Sequence, residues 1–342
     1  MDLLALQLDV RQKRAVVRVS DAEERTEVVL DGAAFARVYS AAQPLFDWAH
    51  GSVSPSARTP ADATLLVVEV DASQRQLRLG YLSEHSAHAE PPSDHQPADL
   101  KLVFRDADYD TCQLLLREAA RAAVREVRPR KPEPAALSYD DRWEYLYQHA
   151  GDGWELGRTP PPLQRYLQEH PPLPGQKLIV LGCGRGHEAR LLAQLGQPVG
   201  AHVWAVDIAP SAVAYTAQAA AREGLSSSIT VLQADLFTLA QQHPEQRGAY
   251  DVLVEHCCFC AIEPTRRDEY VQAAAALLRP GGQLVGLSYC HDYPGGPPFG
   301  TSAQEVKTRL AAAFEIASAT VPMDSILTRA GQELLVVATR RG

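Results

Sequence analysis

One stretch constrains the fold more than any other. It is KLIVLGCGRGHE, residues 177–188, followed by HVWAVDI at 202–208. Leu178, Ile179, Val180 and Leu181 form an apolar run without alternation, the pattern of a parallel strand covered on both faces. Gly182, Gly184 and Gly186 follow at once. They permit a tight turn whose backbone N–H groups can approach a ligand closely. Asp207 ends the next apolar run, 25 residues after Gly182, where an acidic side chain can accept both hydroxyl hydrogens of a ribose. Strand, glycine turn, helix, strand and terminal acid in this order predict a nucleotide-binding α/β unit. GCGRG has one residue between its second and third glycines, where the dinucleotide fingerprint has two. That spacing favours a nucleoside without pyrophosphate, S-adenosylmethionine first among the candidates.

The chain has 342 residues, 46% of them hydrophobic, with a net charge of −9 and a pI near 5.7. That is room for two domains with real cores. An acidic chain without a basic cluster is a poor partner for nucleic acid. No apolar run reaches the ~20 residues that span a bilayer. The opening MDLLALQLDVRQKR lacks a secretory pattern, so the expected location is cytoplasmic, with the six cysteines as thiols.

Residues 1–130 read as a small α+β domain. LLALQLDV and RAVVRVS alternate like a hairpin, a third strand follows near Glu27–Leu30, and a helix covers Ala33–Ala49. ATLLVVEVD, QRQLRLGYL and DLKLVF are further strands. A helix from Tyr109 to Val127 sets Leu114, Leu115, Ala119, Ala122 and Val127 on one side. His85, His88 and His95 fall in a Pro- and Ser-rich loop without metal-site spacing and are expected to be solvated. No catalytic constellation is visible, so the domain is assigned to gating, dimerisation or substrate recognition. A Pro-rich linker at 131–137 separates it from a second domain, 138–342.

In that second domain, Trp143, Tyr147 and Trp154 crowd a short segment, with a turn at Asp152-Gly153, before the first core strand. They either pack the segment onto the sheet or cover the cofactor, where an aromatic face near a sulfonium adds about 0.5–2 kcal/mol of cation–π attraction. Helix 211–223, a third strand over 228–239 running into Asp235-Leu236, a fourth strand and loop over 249–264, and helix 266–278 follow. That helix ends at Arg279-Pro280-Gly281-Gly282. A fifth strand spans 283–292, a helix 303–313, and an antiparallel pair closes the chain. Alternating strands and helices predict a doubly wound, Rossmann-like parallel sheet with ligands at the carboxyl ends of its strands.

Four motifs together resemble the thiopurine-type methyltransferases, in particular the branch acting on halides, thiocyanate and thiols. That branch has W-x3-W-x6-W before the first strand, V-P-G-C-G-x-G-H at the glycine turn, F-C-A-I-x-P after the fourth strand and G-G-P-P-F/Y after the fifth. This chain has WEYLYQHAGDGW, VLGCGRGH, FCAIEP and GGPPF. The resemblance implies a class I methyltransferase fold and an enzyme that transfers a methyl group from S-adenosylmethionine to a small nucleophile. It implies cofactor contacts from Trp143, Trp154, Gly182, Cys183, Gly184, Gly186, Asp207, Ile208, Asp235, Leu236 and Glu255. Tyr147, where a second Trp is usual, is carried over with His256 as catalytic. His256, Cys260, Arg267 and Phe299 are carried over to the substrate side. Val180 stands where most methyltransferases have an acid, as it does in this branch.

Transfer from a sulfonium needs no acid for the leaving group, so alignment and water exclusion are the main tasks. A neutral thiol would need a proton acceptor. His256 is the candidate base, or else a histidine satisfied by the backbone. With a His at this position and an extra domain, an organic thiol is expected over a bare halide. Arg267 either holds an anionic substrate or pairs with Glu263. Cys257, Cys258, Cys260, Cys290 and His291 are expected near His256 at the mouth of the site. Their spacing is not that of zinc, and no metal is assigned. An N- or O-methyltransferase, a metalloid methyltransferase and a regulatory cofactor-binding module are the alternatives. A homodimer is compatible with all of them.

Overall fold

The computed structural model describes residues 2–9, 12–20, 25–52, 63–71, 76–83, 100–127, 137–149 and 154–342. The loop carrying His85, His88 and His95, most of the Pro-rich linker and the Asp152-Gly153 turn lie outside them. The chain divides into two units, one formed by Met1–Pro129 with Ile326–Ala330, the other by Arg130–Ser325 with Gly331–Gly342.

The first unit contains β1 (Asp2–Asp9), β2 (Arg14–Ser20), β3 (Arg25–Asp31), α1 (Gly32–Ser52), β4 (Ala63–Asp71), β5 (Gln76–Ser83), β6 (Leu100–Arg105) and α2 (Asp106–Val127). Its antiparallel sheet has the order β3-β2-β1-β4-β5-β6. Three strands and a helix therefore occur twice, and the halves meet where β1 pairs with β4. Alternate residues Leu6, Leu8, Ala15, Val17, Val68, Leu77 and Leu79 form a core with Val38, Ala42 and Leu45 of α1 and with Cys112, Leu116, Ala119 and Ala123 of α2. Leu114 is not on that face. It is 46% exposed, because Cys112, Leu116, Ala119 and Ala123 set the buried stripe at helical spacing. Leu327 completes this core, and its segment is fastened by Arg121 Nε donating to the Thr328 carbonyl at 2.6 Å and Arg117 Nη1 to that of Ala330 at 2.9 Å.

The second unit begins with α3 (Tyr139–Gln148) and α4 (Pro161–Glu169). It continues through β7 (Lys177–Leu181), α5 (His187–Gly196), β8 (His202–Asp207), α6 (Pro210–Arg222), β9 (Ile229–Gln233), α7 (Leu239–Gln242) and β10 (Tyr250–His256). The last elements are α8 (Cys258–Ala261), α9 (Arg267–Leu277), β11 (Leu278–Tyr289), α10 (Ala303–Leu310), β12 (Phe314–Thr320) and β13 (Glu333–Arg340). The strand order is β12-β13-β11-β10-β7-β8-β9. From β7 the chain runs outward through β8 and β9, then returns to the other side of β7 as β10. The carboxyl ends of β7 and β10 therefore frame the switch point where such sheets bind ligands. β13 runs antiparallel between β11 and β12. The fold is the Rossmann-like class I methyltransferase sheet, joined to a small α+β unit.

β7 explains its own sequence. Leu178 and Val180 enter one core while Ile179 and Leu181 enter the core on the opposite face, so every position is apolar. Three boundaries differ from expectation. β9 stops at Gln233, before Asp235, because the Asp235 carboxylate and carbonyl accept N–H groups from Phe237 and Thr238 and turn the chain off the sheet. Arg279 to Gly282 join the start of β11, where a register shift against β10 absorbs them. The loop after β10 holds a short helix, α8.

Candidate active site

Leu181 pairs with Val206 on one side and Glu255 on the other, so the glycine turn leaves the sheet at the switch point. Gly182, Gly184 and Gly186 all take left-handed φ values of +59°, +53° and +73°, which favour glycine. Asp207 organises this turn. Its Oδ2 accepts the Gly184 N–H at 2.8 Å and its Oδ1 the Ala209 N–H at 2.9 Å. It is 7% exposed. Burial raises its pKa, and the backbone donors only partly offset that. The expected ribose ligand is thus also the brace of the turn. Cys183 turns its thiol into the core, leaving only its backbone to a ligand, and Ile208 is half-buried next to Asp207.

The aromatic segment closes onto this turn. Ser138 caps α3 by accepting the Asp141 N–H. Glu144 fastens α3 to α6 by accepting the N–H of Ser211 at 2.9 Å and its hydroxyl at 2.5 Å. Trp143 and Tyr147 each meet Trp154 edge to face, with centroids 5.6 and 5.7 Å away. The Tyr147 hydroxyl lies 3.0 Å from where a Cβ on Gly184 would stand. Burial, Asp207, Cys183 and Glu155 push its phenol well above the ordinary value. Tyr147, carried over as catalytic, thus faces the glycine turn with its phenol favoured in the protonated form.

The motif reading missed Glu155. It accepts from His187 Nε2 at 2.8 Å and from the Gly157 N–H at 2.5 Å, and lies 3.5 Å from Arg185 Nε. Burial works against its charge, but these partners hold its pKa at about 2. Asp235 and Leu236 are half-buried beyond β9, with Asp235 engaged in its own turn.

At the end of β10, Glu255 turns inward, 3% exposed. Its carboxylate accepts the N–H groups of Cys258 at 2.7 Å and Phe259 at 3.1 Å. It lies so close to Gly286 that a Cβ there would come within 2.5 Å. Burial raises its pKa to about 7 against the pull of those donors. Expected as a cofactor ligand, its side chain instead supports the α8 loop from inside. Cys260, expected on the substrate side, faces the interior. It is fully buried, its thiol meets the Cys257 carbonyl at 3.2 Å, and its own carbonyl accepts the Phe299 N–H at 2.7 Å.

Arg267 is neither a substrate anchor nor a partner of Glu263. It is 0% exposed. Nη1 donates to both Glu305 oxygens at 2.9 Å and to the Gly300 carbonyl at 3.1 Å, and Nη2 to the Phe299 carbonyl at 3.3 Å. It anchors the loop that presents Phe299, whose half-buried ring packs over Gly296. Burial pushes the thiols of Cys183 and Cys258 well up, and that of Cys290 to about 12. Among the described residues, no three His, Cys, Asp or Glu side chains are grouped to hold a metal.

His256 lies at the carboxyl end of β10 with Nδ1 3.3 Å from Glu188 Oε1. Burial disfavours its charge, but Cys257 and Glu188 outweigh burial and raise its pKa well above the usual imidazole value. The expectation is a base poised near neutral pH, whereas these neighbours favour the protonated ring. Glu188, the second residue of α5, went unnoticed because nothing local marks it.

The exposed, side-chain-free Gly182 and the braced Asp207 fit a nucleoside at the switch point, under the aromatic segment. Residues 138–339 match the family model of thiopurine S-methyltransferase. The chain is similar to a probable thiol methyltransferase 2 of Arabidopsis thaliana and a thiocyanate methyltransferase 1 of Brassica oleracea. Each is 30% identical over 195 residues, covering 56% of this chain and 82% of the other. It is also similar to a thiopurine S-methyltransferase of Shewanella woodyi, 29% identical over 190 residues, covering 52% of this chain and 83% of that one. A family match of that length makes the chain a member of the thiopurine S-methyltransferase family, an enzyme whose methyl donor is S-adenosylmethionine.

Proposed function

We propose that this enzyme methylates a small thiol or a related soft nucleophile such as thiocyanate. The observation that carries this reading is the Phe299 N–H to Cys260 carbonyl bond of 2.7 Å. It ties together two of the four motifs, FCAIEP and GGPPF, by which the sequence resembles the halide, thiocyanate and thiol methyltransferases. α8 of the first loop sits against the glycine turn, with Cys258 Sγ 3.0 Å from where a Cβ on Gly182 would stand. The names of the relatives support the same reading.

When bound, the sulfonium supplies an electrophilic methyl group and a neutral leaving group. The chain's own residues supply placement. Asp207 and the glycine turn hold the nucleoside end, Trp143, Tyr147 and Trp154 exclude water, and the α8 and Phe299 loops bound the acceptor. Orientation of this kind can contribute about 7–11 kcal/mol to a displacement. Residues 1–130 are assigned to gating, dimerisation or substrate recognition.

The test is incubation with S-adenosylmethionine and a panel of small thiols, thiocyanate, iodide, selenide, amines and phenols, following S-adenosylhomocysteine. Turnover confined to sulfur and other soft acceptors is expected. Turnover only on amines or phenols would replace the reading with N- or O-methylation. Tight cofactor binding without any turnover would point to a regulatory module.

A further inference from the structure

Glu188 is 6% exposed, and its Oε1 has no well-aligned hydrogen bond among the described residues. It is the second residue of α5, where the helix dipole favours an anion. That alone is a weak offset, because a carboxylate removed from water costs several kcal/mol unless it is paired. Arg190 and Arg185, close to Glu188 in sequence, are engaged elsewhere: Arg190 Nε lies 2.8 Å from Glu223 and Arg185 Nε 3.5 Å from Glu155. The group facing Glu188 is His256, at 3.3 Å. His256 also faces Cys257, just beyond β10, which hydrogen-bonds the ring and favours its charge together with Glu188, and Glu255 on β10. Cys183 of the glycine turn lies near Glu188, and Cys258 of α8 and Cys290 beyond β11 lie near Cys257.

We propose that Glu188 is a positioning residue for methyl transfer, fixing His256 as an imidazolium at the carboxyl end of β10, so that the site takes its nucleophile as an anion and does not deprotonate a neutral one. This rests on the soft-nucleophile reading above. The nucleophile's lone pair forms the bond to the methyl carbon as the donor's carbon–sulfur bond breaks. The broken bond's electrons leave on a neutral thioether, and no proton passes through His256. The imidazolium holds the anion in place and is unchanged at the end.

The experiment uses the full chain and Glu188→Gln, with thiocyanate as an acceptor that stays anionic from about pH 6 to about pH 9, a range that brackets the imidazole titration. Glu188→Gln is expected to raise the thiocyanate KM about tenfold or more, to move the alkaline fall of kcat/KM to lower pH, and to leave cofactor affinity within about twofold. Glu188→Asp restores part of the loss. The His256 titration, followed by NMR in both proteins with S-adenosylhomocysteine bound, moves to lower pH in Glu188→Gln. An unmoved KM and pH limb, or an unmoved His256 midpoint, overturns the proposal. The NMR readout needs no acceptor. A shifted midpoint together with no turnover on any soft nucleophile would therefore sink the soft-nucleophile reading while the Glu188–His256 pairing stands. If Glu188→Gln does not fold, His256→Gln replaces it, with the same thiocyanate defect expected and an unchanged KM overturning the proposal.

Discussion

Gly186 stands directly against Thr216. A Cβ on Gly186 would lie 2.5 Å from Thr216 Cγ2 and 2.7 Å from its Oγ1, while that hydroxyl donates to the Gly184 carbonyl at 2.9 Å. The third glycine therefore sets how closely α5 can start beside α6, and Thr216 pins the turn between them. Gly186→Ala must both adopt a φ of +73° and displace a fully buried side chain. It should cost about 2–4 kcal/mol, combining left-handed strain and overpacking. Urea denaturation measures this, and an unchanged midpoint would show that α5 and α6 separate freely.

Arg267 and Glu305 lie 38 residues apart in sequence and join α9, α10 and the Phe299 loop. Arg267→Lys keeps the charge but cannot span a carboxylate and two carbonyls at once. Arg267→Met leaves Glu305 without its main partner, and breaking a pair with one fully buried member costs about 3–5 kcal/mol. Both variants should lose stability in chemical denaturation, the Met variant more. In whatever enzyme folds, any rise in the acceptor KM should match that of Glu305→Gln, which frees the same Phe299 loop. A rise confined to the Arg267 variants would return Arg267 to the substrate.

What the sequence disclosed and what it concealed divide along a physical line. β7, the glycine turn and Asp207 are legible because their signals are local: an apolar run for a doubly covered strand, glycines for left-handed φ, an acid at a strand end. The aromatic cluster was visible as composition, and its closure onto Gly184 follows from Glu144 gripping Ser211, a contact between helices that no spacing announces. Glu188 and Glu155 were missed for the same reason, since each acquires its partner only when β10 or the segment after α3 folds alongside. Arg267, Cys260 and Glu255 carry a polar or reactive group in a motif. That invited a chemical reading, while the fold uses all three to brace the loops from within. Leu114 shows the limit of periodicity, because Leu115 and Leu116 offer a competing stripe and packing selects Leu116.

Glu155 gives a pH prediction. Its pKa falls from 4.5 in the unfolded chain to about 2. A carboxyl held below its unfolded value stabilises the fold at every pH above that value, and the contribution disappears as acid protonates it. The wild type should therefore lose about 2–3 kcal/mol from this group between about pH 5 and about pH 2. Urea midpoints at neutral pH and at about pH 3 should fall more steeply for the wild type than for Glu155→Gln, which has no charge to lose. Parallel slopes would remove Glu155 from the acid response.

Asp207 combines two tasks that one substitution would confuse. In Asp207→Ala the Gly184 and Ala209 N–H groups lose their acceptor, at about 1–3 kcal/mol for each buried donor left unsatisfied, so stability falls with no ligand present. Cofactor affinity should fall as well, by about 1–3 kcal/mol, if the carboxylate also accepts from a ribose. The two losses separate when wild type and variant are titrated with S-adenosylhomocysteine and with its 2′,3′-dideoxy analogue. A brace alone weakens both ligands equally, because the distorted turn receives each in the same way. A brace that also binds the ribose weakens the natural ligand more, since only that ligand has hydroxyls to lose. Isothermal titration of the four pairs is expected to show the larger loss for S-adenosylhomocysteine. Equal losses would leave Asp207 as the keeper of the glycine turn and move ribose recognition to another residue.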